Sequence, residues 1–291
     1  MFILDRRTFL AAAGAAAVTS TAAQAGLAKV QTYTAGLDGV LVESVVVMGE
    51  DSAVLIDAQL IAPEAAALAD MIAATGRKLE TIFISHYHPD HVLGLDVLLK
   101  RFPEAKTYTH AKVRPLIEKA APGMLASFSK SAPAGVFAEK AVIPDVLDAD
   151  HILLEGERIE ILDPMHGDTD LITPIHIPSL DTLIATDLAY ANVHLWVAEN
   201  LTPERIETWR GSLDALEAIG AGTVIPGHRQ PGDPADASVY AMTRDYLDHW
   251  ETALAETKTA EDLRATLLAG KEDLAFPFAV DRAVLAAYPE S

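Results

Sequence analysis

The chain has 291 residues, no cysteine, and 42 acidic against 22 basic side chains, which gives a formal net charge of −20. So few basic residues cannot build the positive face that nucleic acid requires, and without cysteine there are neither disulfides nor thiolate metal ligands. Half of the residues are hydrophobic, and the length suits one large α/β domain or two small ones.

Residues 1–25 have the pattern of an export signal. Arg6 and Arg7 precede an apolar run at 9–18, and the segment ends in the small-x-small cleavage site Ala-Gln-Ala. The run is shorter than the roughly 20 apolar residues that span a bilayer. Because the arginine pair resembles the bacterial twin-arginine signal, we predict a mature single domain of residues 26–291 in the periplasm, without a stable membrane anchor. An ordinary Sec signal or a membrane anchor is the alternative.

Strands alternate with helices in the first half of the mature chain. Runs rich in valine, isoleucine and threonine predict strands at residues 40–47, 53–56, 81–84 and 107–109. Helices are predicted at residues 63–74, which begin with proline and end before a glycine, and at 91–101. This alternation predicts an α/β sheet.

The second half repeats the alternation. Strands are predicted at residues 152–154, 158–162, 171–177, 182–185 and 223–225, and helices at 203–219 and 237–256. Between residues 121 and 146 proline, glycine and serine interrupt the pattern. A connection of this length is either a lid over a site or a pair of short helices that fill a gap.

Metal-binding side chains crowd into one segment after the third predicted strand. The sequence SHYHPDH places His86, His88, Asp90 and His91 where a buried strand ends. Because side chains two positions apart in extended backbone share a face, the first two imidazoles can point at one cation. The next Asp-His pair projects toward a neighbouring point, so one loop can serve two cations. A chance cluster of histidines in a solvated loop is the alternative.

Three further candidate ligands, His166, Asp187 and His228, each stand just beyond a predicted strand. Loops at the carboxyl ends of strands are where α/β sheets build their sites. Five histidines and two aspartates therefore converge on one edge of the predicted sheet. The sequence predicts a metal site there whose ligands are nitrogen and oxygen atoms only.

The segment HYHPDH resembles the HxHxDH signature of the metallo-β-lactamase superfamily, and the three later ligands follow in the family's order. The resemblance runs from about residue 32 to residue 228 and implies an αββα sandwich with two metals at one edge. It implies that His86, His88 and His166 bind the first metal, that Asp90, His91 and His228 bind the second, and that Asp187 bridges them.

One segment departs from the family pattern. His166 stands in HGDTD, where the family usually has a segment like HTPGH. Asp57 ends an early strand as in the family, and it either orients the histidine loop through hydrogen bonds or is a plain turn residue. His194 and Trp196 follow the bridging aspartate closely enough to line the pocket beside the ligands or the substrate.

The ligand set implies hydrolysis by two divalent cations, with zinc as the first choice and iron or manganese as alternatives. The expected reaction is attack on a carbonyl by a hydroxide that the two cations would share, and Asp90 is expected to hold this hydroxide and relay its proton. A β-lactam substrate is disfavoured for this chain, which has no cysteine but has the bridging aspartate. True β-lactamases of the superfamily lack that aspartate, and two of their three subclasses use a cysteine ligand.

Lactonases of the superfamily carry a tyrosine three residues after the bridging aspartate, and Tyr190 has this spacing from Asp187. Its phenol either donates to the developing oxyanion or packs in the loop. We therefore predict a hydrolase of an ester or lactone-type carbonyl. The alternatives are a phosphodiesterase or phosphotriesterase, a glyoxalase II-like thioesterase, a weak β-lactamase, and a non-hydrolytic protein such as a mononuclear iron dioxygenase or metal sensor. The sequence is also compatible with an oligomer.

The export signal gives the first prediction. Changing Arg6→Lys together with Arg7→Lys is expected to leave the protein inside the cell, because the twin-arginine pathway reads that pair. Lys29→Arg, a conservative change beyond the cleavage site, is the control. N-terminal sequencing of the native periplasmic protein should begin near Gly26, and finding Met1 there would contradict cleavage.

Overall fold

Two mixed β-sheets face each other, and helices cover the outer face of each. This is the four-layer αββα arrangement predicted above, and the computed structural model confirms it. The structure describes residue 26 and residues 29–289, so the predicted export signal lies outside the described residues. No helix in the described part of the chain is long and apolar enough to cross a membrane.

The first sheet has the strand order β1-β2-β3-β4-β5-β6, with β1 to β3 antiparallel and β3 to β6 parallel. Its strands are Lys29–Thr34 (β1), Glu43–Met48 (β2), Ser52–Ile56 (β3), Lys78–Ile84 (β4), Lys106–Thr109 (β5) and Asp145–Val146 (β6). The second sheet has the order β11-β10-β9-β8-β7, in which only β10 and β11 are parallel. Its strands are His151–Leu154 (β7), Glu157–Ile161 (β8), Ile175–Ile177 (β9), Thr182–Tyr190 (β10) and Thr223–His228 (β11).

The helices fall into two sets, one for each sheet. The first set is Ala62–Ala74 (α1), Pro89–Val92 (α2), Leu95–Arg101 (α3) and Arg114–Ser131 (α4). The second set is Pro203–Glu217 (α5), Ser238–Glu256 (α6), Ala260–Leu268 (α7) and Phe278–Ala287 (α8). Each set buries its apolar stripe on one sheet, which forms the two outer cores.

The inner core lies between the sheets and follows from the two-residue period of strands. In β2, Val45 and Val47 face the second sheet, whereas Val46 and Met48 face the helices. A strand apolar on both faces can be buried only between two layers. The continuous apolar run of β2 therefore determines that this strand lies between the second sheet and the helices.

Two predicted elements of the first half are shortened or divided in the structure. The strand predicted at 40–47 begins at Glu43, because Val40 and Leu41 turn the chain with φ of 59° each. The helix predicted at 91–101 is divided into α2 and α3 at Gly94, where a Cβ atom would lie 1.8 Å from the carbonyl oxygen of Ala58. This close approach to the backbone requires glycine.

The predicted interruption after residue 121 is partly wrong, since α4 continues through Pro122 to Ser131. Proline inside a helix costs about 3 kcal/mol. Ile117, Ala121 and Leu125, spaced four residues apart, are buried against the first sheet. Because tertiary packing of an apolar face supplies most helical stability in proteins, this burial outweighs the local cost.

Candidate metal centre

The histidine-rich segment leaves the carboxyl end of β4 and enters α2 directly. Pro89 is the first residue of α2, so Asp90 and His91 lie in its first turn. His86 and His88 precede the helix in a short connection that bends at residues 86 and 87. All four ligand candidates are buried, although charged and polar side chains are rarely buried without partners.

Two groups of side chains in the described part of the chain could each hold a cation. The first contains His86, His88, Asp168 and Asp187, and the second contains Asp90, His91, Asp187 and His228. Within each group the ligand atoms lie within 4.8 Å of one another. Because Asp187 belongs to both groups, its carboxylate joins them into one centre.

The sequence predicted that Asp187 lies just beyond the end of its strand. In the structure Asp187 lies inside β10. The register of β10 against β11 shifts around Thr186, whose φ is +50°, so the strand is irregular where the carboxylate projects. On β11, Gly227 leaves the necessary space, since a Cβ atom there would lie 1.8 Å from Asp187 Oδ1. The Gly-His pair that ends β11 therefore provides both room for the shared carboxylate and the ligand candidate His228.

Distances at Asp187 show how closely the centre is packed. Its Oδ1 lies 3.2 Å from His91 Nε2, and its Oδ2 lies 3.5 Å from His86 Nε2 and 3.3 Å from His228 Nε2. Asp90 Oδ2 is also 3.3 Å from His228 Nε2. Imidazoles from two distant parts of the chain thus surround one carboxylate.

His166 does not join either group, although the resemblance implied that it binds the first metal. Its Nδ1 lies 2.8 Å from Asp170 Oδ1, and its Nε2 lies 2.8 Å from Asn200 Oδ1. Asp168 takes the place instead, with Oδ2 3.2 Å from His88 Nδ1.

The loop around Gly167 explains this exchange. A Cβ atom at Gly167 would lie 2.8 Å from the carbonyl oxygen of Asp187, so the loop packs directly on β10. Asp168, the next residue, donates its backbone N–H to that oxygen and turns its carboxylate into the centre. The sequence contained a signal for this outcome, because HTPGH ends in Gly-His whereas here glycine is followed by aspartate.

Hydrogen bonds on the outer sides of the imidazoles fix their orientation. Asp57 accepts from the backbone N–H of Ser85 at 2.8 Å, from its hydroxyl at 2.7 Å and from His91 Nδ1 at 2.8 Å. His228 Nδ1 donates to the carbonyl oxygen of Val40 at 2.8 Å. Such outer partners select the tautomer that leaves the other ring nitrogen facing a cation.

Glu199 is a supporting residue that no sequence pattern predicted. Its carboxylate accepts from His88 Nε2 at 2.9 Å and from the hydroxyl of Thr169 at 2.6 Å. The contact with Glu199 thus keeps His88 Nδ1 directed into the first group. Burial alone would raise the pKa of Glu199, whereas these contacts lower it to about 2. No local motif marks Glu199, because it is 111 residues away from His88 in sequence.

The inner atoms of the centre fit a cation. His86 Nε2, His91 Nε2, Asp168 Oδ1 and Asp187 Oδ1 are buried and have no hydrogen-bond partner in the described protein. Buried polar atoms almost always make a hydrogen bond, so four atoms without one at the same centre require an explanation. Divalent cations bound by nitrogen and oxygen atoms would satisfy all four.

Protons compete with cations at this centre. Burial lowers the pKa of His86 to about 4, so its imidazole is neutral and able to bind a metal. Burial raises the pKa of Asp168 to about 7. Burial also opposes ionisation of Asp187, but three neighbouring imidazoles hold the pKa of Asp187 well below its ordinary value. Burial alone would lower the pKa of His228, but the neighbouring carboxylates raise it to about 10. Cation binding at neutral pH should therefore release protons.

The remaining predicted site residues have different surroundings. Tyr190 is fully buried, its hydroxyl donates to Asp168 Oδ2 at 2.8 Å and lies 3.3 Å from Asp187 Oδ2, and its ring stacks on His228. Trp196 packs against His88 with ring centroids 6.0 Å apart. His194 is not at the centre, because its Nδ1 lies 2.9 Å from the hydroxyl of Tyr246 on α6.

Comparisons with known proteins agree with this fold. Residues 37–228 match the metallo-β-lactamase superfamily. A metallo-β-lactamase from Pontibacter korlensis superposes with a TM-score of 0.57 and 17% identity, covering 77% of this chain and 99% of that one. A metallo-β-lactamase family protein from Thermus thermophilus gives a TM-score of 0.56 and 22% identity, covering 82% and 86%.

One curated relative matches over a short stretch. A hydroxyacylglutathione hydrolase from Aeromonas salmonicida (strain A449) is 42% identical over 45 residues, which is 16% of this chain. The match spans only 18% of that enzyme, and the two structural neighbours are too distant in sequence to show more than a shared fold.

Variants of Asp168 and His166 distinguish the two ligand sets. Asp168→Ala is expected to lose one of two bound cations, because it removes a carboxylate of the first group, whereas His166→Ala is expected to retain both. Elemental analysis of protein purified without chelator measures the difference, with His176→Ala in β9 as a histidine control. Loss of a cation from the His166 variant alone would contradict the structural assignment. One iron per chain in the unaltered protein would support the mononuclear iron alternative.

Proposed function

The chain belongs to the metallo-β-lactamase superfamily, and from this premise we propose that it hydrolyses an ester or lactone with two divalent cations. The shared carboxylate of Asp187 carries the proposal, because it belongs to both ligand groups. When bound, paired cations polarise a carbonyl and lower the pKa of water to about 7. Hydrolysis follows from this combination.

The residues of the two groups would hold the cations. The proposed ligands are His86, His88 and Asp168 for the first cation, Asp90, His91 and His228 for the second, and Asp187 for both. Imidazole nitrogens suit zinc, while carboxylate oxygens also suit manganese and iron. Zinc remains the first choice.

Asp90 is the carboxylate best placed to handle a proton. Its side chain is 11% exposed, against 1% for Asp187, so water reaches Asp90 more readily. His91 and His228 hold the pKa of the Asp90 carboxyl well below its usual range, although burial alone would raise it. An ionised carboxylate at the rim can accept a proton from the attacking water and return it to the leaving oxygen.

The charge of the proposed ligand set attracts an anionic substrate less strongly than the set of five histidines and two aspartates would. Four neutral histidines and three aspartates around two divalent cations leave a formal charge of +1, whereas five histidines and two aspartates would leave +2. Arg229, which follows His228, is held by Glu43 in a two-pronged ion pair at 3.0 Å and is unavailable to a phosphate. With a net charge of −20 as well, the protein should repel a phosphoester more than a neutral carbonyl compound.

A thioester is the second candidate substrate class. The short stretch shared with a hydroxyacylglutathione hydrolase is the observation that favours it. We likewise keep as proposals that the protein is exported to the periplasm and that its partner is a small molecule.

In this proposal the Tyr190 hydroxyl positions a ligand candidate and does not donate to the oxyanion. Its single hydroxyl proton is directed at Asp168 Oδ2, 2.8 Å away, and would have to leave that carboxylate to reach a substrate. Burial raises the pKa of the phenol well above its usual value, so the donor stays protonated. Tyr190 therefore positions Asp168 and, through it, the first cation.

A substrate panel tests the proposed function. Zinc-loaded protein is expected to give its highest kcat/KM with γ-butyrolactone or p-nitrophenyl acetate, and less with a hydroxyacylglutathione thioester, a cephalosporin or bis-p-nitrophenyl phosphate. Asp187→Asn is expected to abolish turnover of all five, because a neutral amide cannot offset the charge of two cations. Turnover of the phosphate alone would contradict the proposal, and preference for the thioester would select the second candidate.

Tyr190→Phe tests the positioning role. Loss of an outer hydrogen bond to a ligand typically weakens metal affinity about 10–100-fold, so we expect a shift of that size in the zinc dissociation constant. Turnover at subsaturating zinc should fall in parallel on every substrate. Intact zinc affinity with lower kcat on carbonyl substrates only would instead show a direct oxyanion contact. Tyr246→Phe, whose hydroxyl contacts His194 rather than a ligand group, is the matched control.

A further inference from the structure

A continuous series of aromatic rings connects one ligand group to the other. Trp196 packs on His88 with ring centroids 6.0 Å apart, and Phe278 lies 6.5 Å from Trp196. Phe278 lies 6.1 Å from Phe276, which stacks on His228 at 5.9 Å with an interplanar angle of 4°. We call Trp196, Phe276 and Phe278 the aromatic arc. It begins at the first group and ends at the second.

The chain holds the arc together through a backbone contact between two loops. The loop after β10 forms a parallel bridge at Val193 with Ala275, and the backbone N–H of His194 donates to the carbonyl oxygen of Ala275 at 2.9 Å. Phe276 follows Ala275 directly, and Phe278 is the first residue of α8. Both lie beyond residue 228, where the match to the superfamily ends.

The exposure of the arc rises toward its middle. Phe276 is 7% exposed, whereas Phe278 is 54% exposed, although it is a large apolar side chain. His88, Asp90 and His228 also keep a few per cent of exposure, which places the open side of the centre beside the same rings. The exposed Phe278 ring is therefore continuous with the rim of the metal centre.

The chemistry of the arc selects an apolar ligand. None of its three members is charged, and Trp196 Nε1 is buried without a hydrogen-bond partner in the described protein, so packing alone holds this ring. Burying apolar surface gains about 25 cal/mol per Å². An alkyl chain lying on these rings would gain free energy, whereas a carboxylate or phosphate there would find no cationic partner in the arc.

We infer that the aromatic arc is the substrate-specificity wall of the centre, and that it binds a long uncharged alkyl substituent beside the carbonyl that is opened. This inference rests on the proposed function. The substrate class becomes a lipophilic ester or lactone, with the reacting carbonyl at the two ligand groups and its chain against Phe278.

The ratio of kcat/KM for γ-undecalactone to kcat/KM for γ-butyrolactone tests the arc, because the two lactones share a ring and differ in the chain. Phe278→Ala in the zinc-loaded full chain should lower this ratio about tenfold, the effect of exposing some 55 Å² of apolar surface. Leu285→Ala is the matched control, because Leu285 is an exposed apolar residue of the same helix, 45% exposed, and is not part of the arc. An unchanged ratio in the Phe278 variant, or an equal fall in both variants, would overturn the inference.

Calorimetric binding of 1-octanol separates the arc from the reaction, since this probe has no carbonyl to open. We expect the unaltered protein and Leu285→Ala to bind it equally, and Phe278→Ala to bind it about tenfold more weakly. If no lactone or ester is hydrolysed but this difference in binding is found, the proposed function fails and the wall remains. If the lactones are hydrolysed but octanol binds equally to all three proteins or to none, the function stands and the wall is wrong.

Discussion

The position of the Asp187 carboxylate is the constraint on which the centre depends. A carboxylate that is 1% exposed is stable only when positive charge or hydrogen bonds surround it. His91 and His228 approach it to 3.2 and 3.3 Å. The irregular backbone at Thr186 directs the side chain inward, and Gly227 leaves room that any side chain would fill. The geometry of β10 and β11 therefore determines where the carboxylate shared by the two ligand groups lies.

Hydrogen bonds from residues outside the two groups fix the positions of several ligand candidates. Asp57 at the end of β3 links Ser85 to His91, and Glu199 from the loop after β10 holds His88. Asn200 accepts from His166 and donates to the carbonyl oxygens of residues 167 and 168, so it fixes the loop that carries Asp168. His166 thus contacts the loop that carries Asp168 and lies outside both ligand groups. An aspartate in place of a histidine in the first group lowers the formal charge of the proposed centre by one.

The two halves of the proposed site have different origins in the chain. The ligand groups lie within residues 37–228, the part that matches the superfamily. Two of the three aromatic residues beside them lie in the C-terminal segment, which pairs with the loop after β10 through Ala275. A shared centre with a separate wall is a physical basis for varying the substrate while the hydrolytic chemistry stays the same.

The sequence by itself determined the features that local patterns encode. The valine-rich run at residues 40–47 predicted a strand, and the spacing of His86, His88, Asp90 and His91 placed four ligand candidates in one turn after β4. Only the tertiary structure decided between His166 and Asp168. These residues are two positions apart in a loop, and the one that faces the centre depends on contacts with β10 and Asn200, which are distant in sequence. Periodicity records which face of an element is apolar, whereas the direction of a loop side chain depends on packing between segments that meet only in the folded chain.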